Sequence, residues 1–114
     1  MIVLSTVANE QSVYWITVNL WDDDSTAMDN NDLVLTWTLT DLSGNLINSR
    51  EDVSVSSPTD EETIELSGAD LAVDGNDIVQ RIMTLEGTYD SKANGDDKPF
   101  KFQIKFPIQP VVIV

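Results

Sequence analysis

Residues 33–45 alternate between apolar and mostly polar side chains and then end in a turn, which constrains the fold more than any other pattern in the chain. One side of an extended backbone would carry Leu33, Leu35, Trp37 and Leu39. The run Ser43-Gly44-Asn45 has turn chemistry, because Gly and Asn tolerate positive φ. We therefore predict a strand with one buried face, and we expect Trp37 to be the most buried aromatic residue, between two sheets.

The same period-two alternation recurs in short segments separated by turn residues. Predicted strands cover residues 2–7, 12–21, 45–50, 52–56, 62–66, 77–90 and 100–106. Residues 67–72 instead predict one helical turn, with Ser67 as its cap and Leu71 packed below the sheets. The pattern predicts that residues 1–114 form a single all-β domain, an immunoglobulin-like β-sandwich of about seven to nine antiparallel strands.

The longest predicted strand, residues 77–90, contains one residue that does not fit its face. Arg81 shares the parity of Met83 and Leu85, which have the apolar side chains expected of a buried face. Two explanations remain open. Either the buried face begins only at Met83, or a β-bulge changes the parity near Arg81.

Two tryptophans fall on the face opposite the predicted core. Trp15 and Trp21 share one parity of the strand at 12–21, whereas Tyr14 and Ile16 occupy the other. They either cover a sheet edge or loop, or form a protein interface, where Trp is enriched. The following loop, residues 22–32, is long and acidic and includes Met28, a further interface candidate, because long loops often carry function.

The last segment, residues 107–114, is predicted to be a C-terminal strand or arm. Pro107 and Pro110 argue against a central strand. The apolar end is β-prone and would promote aggregation if it were uncovered. Either the domain's own edge covers it, or a neighbouring subunit does so by strand addition. Its apolar residues complete the predicted interface: Ile108, Val111, Val112, Ile113 and Val114.

The charge balance disfavours two classes of partner. Twenty acidic and six basic residues give a net charge of −14, which repels nucleic acid and anionic membranes, and no apolar run is long enough for a membrane-spanning helix. The last quarter of the chain contains four of the six cations, Lys92, Lys98, Lys101 and Lys105. These lysines either protect strand edges within a solvated acidic surface, or give a dipolar molecule whose basic edge meets a neighbour's acidic face.

Residue types needed for catalysis or metal binding are scarce. Cys and His are absent, which removes disulfides, thiolate and imidazole ligands and the usual general base. The two acidic loops match no calcium-binding pattern: residues 22–32 lack a standard spacing, and residues 90–96 resemble the start of an EF-hand but place Lys92 at the third ligand position. We predict no enzyme activity, catalytic residue, metal site or cofactor.

Three runs, residues 35–50, 64–72 and 85–90, together resemble the small immunoglobulin-like structural proteins of tailed bacteriophages and prophages, across residues 12–106. The resemblance implies a virion component, either a head-decoration protein or a neck or tail subunit. Such a protein would be made in the host cytoplasm and would pack against other virion proteins and copies of itself. The shared motifs are strand and turn signatures, so no site residues carry over.

Two alternatives remain open. An immunoglobulin-like carbohydrate- or cell-surface-binding module would use Trp15, Trp21 and the loop at 22–32 as its recognition surface. The chain could instead be a stable domain cut from a larger polypeptide.

Overall fold

The structure, a computed structural model, describes residues 1–22, 28, 32–91 and 95–110 as an all-β fold. Its eight strands are β1 (Ile2–Val3), β2 (Ala8–Asn9), β3 (Val13–Asn19), β4 (Val34–Thr40), β5 (Val53–Ser54), β6 (Glu61–Ser67), β7 (Val79–Ser91) and β8 (Gly95–Gln109). Helix is confined, within the described ranges, to one 3₁₀ turn at Gly68–Leu71, which agrees with the predicted helical turn.

The strands form two sheets. The larger has the order β1-β8-β7-β4-β5, with β2 also paired to β8, and the smaller consists of β3 and β6. All pairs are antiparallel except those of β1 and β2, which run parallel to β8. The prediction of purely antiparallel strands is therefore wrong at this edge, because alternation of side chains specifies a strand but not the direction of its partner.

Pro107 lies inside β8, a central strand, so the expectation that proline excludes this segment from the sheet interior is wrong. The Lys105 carbonyl accepts a hydrogen bond from the Leu4 N–H at 2.9 Å. A parallel ladder would next require an N–H from residue 107 to the Leu4 carbonyl, and proline has none. Pairing therefore stops after Leu4 and resumes where Ala8 pairs with Ile108. Of the predicted strand at 2–7, only Ile2–Val3 is therefore a strand, and β2 begins just beyond that range.

The core lies between the two sheets and includes the predicted face of β4. Leu33, Leu35, Trp37 and Leu39 are all buried, as expected. Phe106 is fully buried, whereas Trp37 retains 6% exposure, so the prediction that Trp37 is the most buried aromatic residue is wrong. The Tyr14 ring of the smaller sheet stacks on Phe106, whereas Trp37 is flanked by the Arg50 guanidinium, whose side chain is 40% exposed.

Tyr14 joins the two sheets. Its ring stacks on Phe106 with centroids 5.2 Å apart, and its hydroxyl donates a hydrogen bond of 2.7 Å to the Thr6 carbonyl. Burial raises the pKa of the Tyr14 phenol above its ordinary value, which itself lies well above neutral pH. Tyr14 thereby anchors the unpaired segment between β1 and β2 onto strand β3.

The segment after β4 folds back as a turn rather than as the predicted strand at 45–50. The Asp41 carboxylate accepts hydrogen bonds from the N–H groups of Ser43 and Asn45 at 2.8 and 3.0 Å, and Gly44 has a φ of 89°. Pairing is limited to a single bridge between Thr40 and Leu46. The Asn45 amide, the Asn45 N–H and the Ser43 N–H hold the pKa of Asp41 below its usual value.

Strand β7 resolves the two explanations for Arg81. Its pairing with β8 is regular through Arg81 and Ile82, and the register shifts only between Tyr89 and Ser91. The buried face therefore begins at Met83, and no bulge is needed. The Arg81 guanidinium donates to the Gln80 carbonyl at 3.0 Å.

Asp70, in the 3₁₀ turn, is fully buried and joins two connections between strands. Its Oδ1 accepts hydrogen bonds from Arg50 Nε and Asn48 Nδ2, both at 2.8 Å, and its Oδ2 accepts one from the Ser67 N–H at 3.2 Å. The Arg50 guanidinium carbon also lies 5.7 Å from the Trp37 ring centroid. Burial alone would raise the pKa of Asp70, but these hydrogen bonds outweigh it and hold the pKa below its ordinary value.

Gly87 in β7 provides a test of sheet packing. A Cβ added there would lie 1.8 Å from the Val34 carbonyl oxygen, so Gly87→Ala must separate β4 from β7. We expect the free energy of unfolding to fall by about 3 kcal/mol, measured by urea denaturation. The control is Thr88→Ala, a half-buried neighbour, with an expected change within about 0.5 kcal/mol. Equal stability of the two variants would contradict the close approach.

Asp70→Ala should lower the free energy of unfolding by about 2 kcal/mol at neutral pH, because Asn48 and Ser67 lose their acceptor. Arg50 is 40% exposed and can be hydrated, which limits the loss. Folding lowers the pKa of Asp70, so ionised Asp70 stabilises the folded state. This stabilisation is complete above the pKa of Asp in the unfolded chain, about 4, and is lost as the pH falls through the lower pKa of the folded state.

Urea denaturation at a series of pH values from neutral to acid checks this sign. The difference in the free energy of unfolding between the wild type and Asp70→Ala should become smaller as the solution is acidified. The control Asp74→Ala, which removes an exposed carboxylate, should have the stability of the wild type at every pH. A gap that stays constant into strong acid would contradict the ionised network.

Candidate functional site

Exposed apolar side chains concentrate along the N-terminal edge of the larger sheet. Met1, Ile2 and Val3 are each more than half exposed. Val3 pairs with Lys105 on the outward side of β8, and Met1 shares the parity of Val3, so neither side chain faces the smaller sheet. Exposed apolar groups that lie together mark interaction surfaces more often than isolated ones do.

Three grooves adjoin this edge. One of about 520 Å³ is lined by Met1, Ile2, Lys101, Phe102 and Gln103. A second, of about 410 Å³, lies between residues 3–6 and residues 14–17, which include Trp15. A third, of about 300 Å³, has aromatic walls that include Trp21, Phe100 and Phe102. Ile2 lines the first and third grooves, so these two share a border.

Both tryptophans point outward, as predicted from their parity. Trp15 and Trp21 are each 62% exposed, while their neighbours Tyr14 and Leu20 are buried. Trp21 also borders the groove at the sheet edge, together with Ile2 and Phe100. The positions of both tryptophans follow from strand alternation: the face that buries Tyr14 presents Trp15 to solvent.

Two of the predicted interface residues are instead core residues. Ile108 is fully buried in β8, and Met28 is only 7% exposed. The Met28 N–H donates a hydrogen bond of 3.1 Å to the Leu20 carbonyl. Both predictions are corrected, because a side chain buried in the domain's own core offers no surface to a partner. Val111, Val112, Ile113 and Val114 lie outside the described residues.

The β7–β8 hairpin end carries an acidic group. A hydrogen bond shared with Asp90, then the charges of Asp90, Asp96 and Asp97, raise the pKa of Asp32 above its usual value. Asp90 also accepts a hydrogen bond from the Asp97 N–H at 3.1 Å. The nearby Asp22 is buried and accepts a 2.9 Å hydrogen bond from the Ser91 hydroxyl.

Neither loop considered for calcium gains support from this geometry. Asp23, Asp24 and Asp29, and Lys92 in the EF-hand-like run, lie outside the described residues. Among the residues that are described, no group of three or more acidic side chains is arranged to hold a metal ion.

The described cations divide into two groups. Arg50 and Arg81 are engaged with Asp70 and with backbone carbonyls. The lysines at positions 98, 101 and 105 all lie on β8, and a long 3.9 Å contact joins Lys101 to Glu86. The clustering of positive charge seen in the sequence therefore becomes a basic strand in the fold.

Comparison with protein-family models, with curated proteins and with solved structures finds no match to this chain. Over the described part of the chain, no helix is long and apolar enough to cross a membrane.

Asp90→Asn tests the coupling at the hairpin end. It removes the closest like charge and should lower the pKa of Asp32 toward its ordinary value, as followed by carboxyl-carbon NMR titration. Because folding raises the pKa of Asp32, the protonated form of Asp32 stabilises the folded state. This stabilisation is complete below the pKa of the unfolded chain and is lost as the pH rises through the pKa of the folded state. Asp74→Asn, an exposed substitution elsewhere, should leave the titration unchanged. An unchanged Asp32 titration in Asp90→Asn would rule out the contact.

Proposed function

We propose that this chain is a non-enzymatic structural protein of a bacteriophage virion, a head-decoration protein or a neck or tail subunit, that acts by packing against other virion proteins and copies of itself. The supporting observation is the exposure of Trp15 and Trp21 beside the apolar N-terminal edge. Large aromatic side chains supply much of the binding energy in protein interfaces, particularly in the centre of a contact. The proposal extends the resemblance of residues 35–50, 64–72 and 85–90.

The topology supports the immunoglobulin-like part of the proposal. The chain passes between the sheets after β2, β3 and β5, and again through the 3₁₀ turn after β6. Strands β4 and β7 are neighbours in the larger sheet although β5 and β6 separate them in sequence. Such crossing connections between two packed sheets are typical of immunoglobulin-like folds. In these folds the sheets hold surface loops and edges in place for binding.

A carbohydrate- or cell-surface-binding module is the second candidate. The groove of about 300 Å³ favours it, because Trp21, Phe100 and Phe102 contribute to its lining. Aromatic walls with a few polar groups are common in small-ligand sites. Under this alternative, oligosaccharides would bind the isolated chain and would perturb the Trp21 indole signal.

The double variant Trp15→Ala/Trp21→Ala separates folding from assembly. Both side chains are mostly exposed, so the free energy of unfolding should change by about 1 kcal/mol or less. Incorporation into virions purified from a host that produces the tagged chain should fall at least about tenfold, measured by quantitative mass spectrometry against the major capsid protein.

The control is Leu42→Ala/Ile78→Ala, which removes two equally exposed apolar side chains elsewhere and should leave incorporation unchanged. Absence of the wild-type chain from purified virions would overturn the proposal. Titration of a soluble glycan library that shifts the Trp21 indole signal, together with that absence, would favour the second candidate.

A further inference from the structure

The outer face of the smaller sheet is exposed and acidic. Its eight outward residues are all exposed: Val13, Trp15, Thr17, Asn19, Glu61, Thr63, Glu65 and Ser67. This set, here named the acidic face, contains two carboxylates and no cation. In the pairing of β3 with β6, Trp15 lies beside Glu65 and Asn19 lies beside Glu61. A large apolar ring therefore flanks one carboxylate of the pair.

The outer side of β8 and β1 has the opposite charge. Lys101, Gln103 and Lys105 share the outward parity of β8, and Val3 pairs with Lys105. Met1 shares the parity of Val3, and both residues are exposed. These five residues are here named the basic face. The Lys101 side chain is 64% exposed, and its 3.9 Å contact with Glu86 is too long and too exposed to add much stability.

The two faces match in spacing as well as in charge. Glu61 and Glu65 are four residues apart on one strand, as are Lys101 and Lys105. A strand rises 3.2–3.4 Å per residue, so each like-charged pair is separated by about 13 Å. With Lys101 placed against Glu61, Lys105 falls against Glu65.

The same alignment also brings apolar groups together. Trp15 is the cross-strand neighbour of Glu65, and Val3 is the cross-strand neighbour of Lys105. When the two charged pairs meet, Val3 and Trp15 therefore lie at the same end of the contact. Burial of this indole adds the apolar area that ion pairs alone would lack.

We propose that the acidic face of one copy docks on the basic face of a second copy, with Lys101 and Lys105 paired to Glu61 and Glu65. The contact rests on the proposed function and specifies how copies of the chain associate. The two faces are different surfaces of the same molecule, so the contact is heterologous. Repetition of a heterologous contact produces a ring when its rotation closes, and otherwise a filament.

Charge reversal provides the test, because it can both break and restore the contact. Glu61→Lys/Glu65→Lys makes both faces basic, and Lys101→Glu/Lys105→Glu makes both faces acidic. By light scattering and sedimentation velocity at low ionic strength, the wild type should associate. Each double variant alone should bind itself at least tenfold more weakly. A 1:1 mixture of the two should associate again, because each reversed face then meets a complementary one.

Net charge is controlled separately. Glu61→Lys/Glu65→Lys adds four charges, from −14 to −10, and so does Glu51→Lys/Asp74→Lys at exposed sites outside both faces. The control should associate like the wild type. Circular dichroism checks the fold of every variant, and Glu61→Gln/Glu65→Gln serves as a milder disruption.

A monomeric wild type, undiminished association of either reversed variant, or a mixture of folded variants that remains monomeric would overturn the proposed contact. Incorporation into virions tests the proposed function independently of this contact. Incorporation without this self-association would remove only the contact, whereas self-association of a chain absent from virions would remove only the virion role.

Discussion

Strand β8 is the element on which the remaining structure depends. It pairs with β7 on one side and with β1 and β2 on the other. The side chain of its Phe106 stacks on Tyr14 of the smaller sheet. Fifteen residues in extended conformation span about 50 Å, close to the 56 Å long dimension of the molecule. The length of this strand therefore sets the elongated shape.

The absence of one backbone donor in β8 also shapes the candidate interface. Because Pro107 cannot donate, the N-terminal strand leaves β8 after Leu4, and Tyr14 holds the released segment through the Thr6 carbonyl. Met1 and Val3, on the outward side of the N-terminal segment, are exposed beside the lysines of β8. A constraint on folding thus positions the surface that we propose for assembly.

The parts of the fold that could be predicted from sequence depend on local periodicity. Leu35 and Leu39 face the core, and Trp15 faces solvent, because side chains alternate along any strand. The 3₁₀ turn was also evident from Ser67 and the residues after it. Each of these features requires only residues that are neighbours in the chain.

The features that sequence did not predict depend on residues far apart in the chain. Arg50 and Asp70 are twenty positions apart, and each is an ordinary surface residue type until the fold brings them together. The burial of Ile108 depends on a parallel partner about one hundred positions earlier, Ala8. Trp15 and Trp21 could be assigned to the outer face, but the spacing match between the faces needed the strand register.

The parallel pairing of β1 with β8 has a consequence for synthesis of the protein. Ile2 pairs with Ile104, so the N-terminal strand must wait for 102 further residues to be translated before it can join the sheet. At elongation rates of about 5 to 20 residues per second, this delay is roughly 5 to 20 s. During that time the apolar N-terminal segment is accessible to chaperones, and closure of the sheet edge becomes a late step that joins the two ends of the chain.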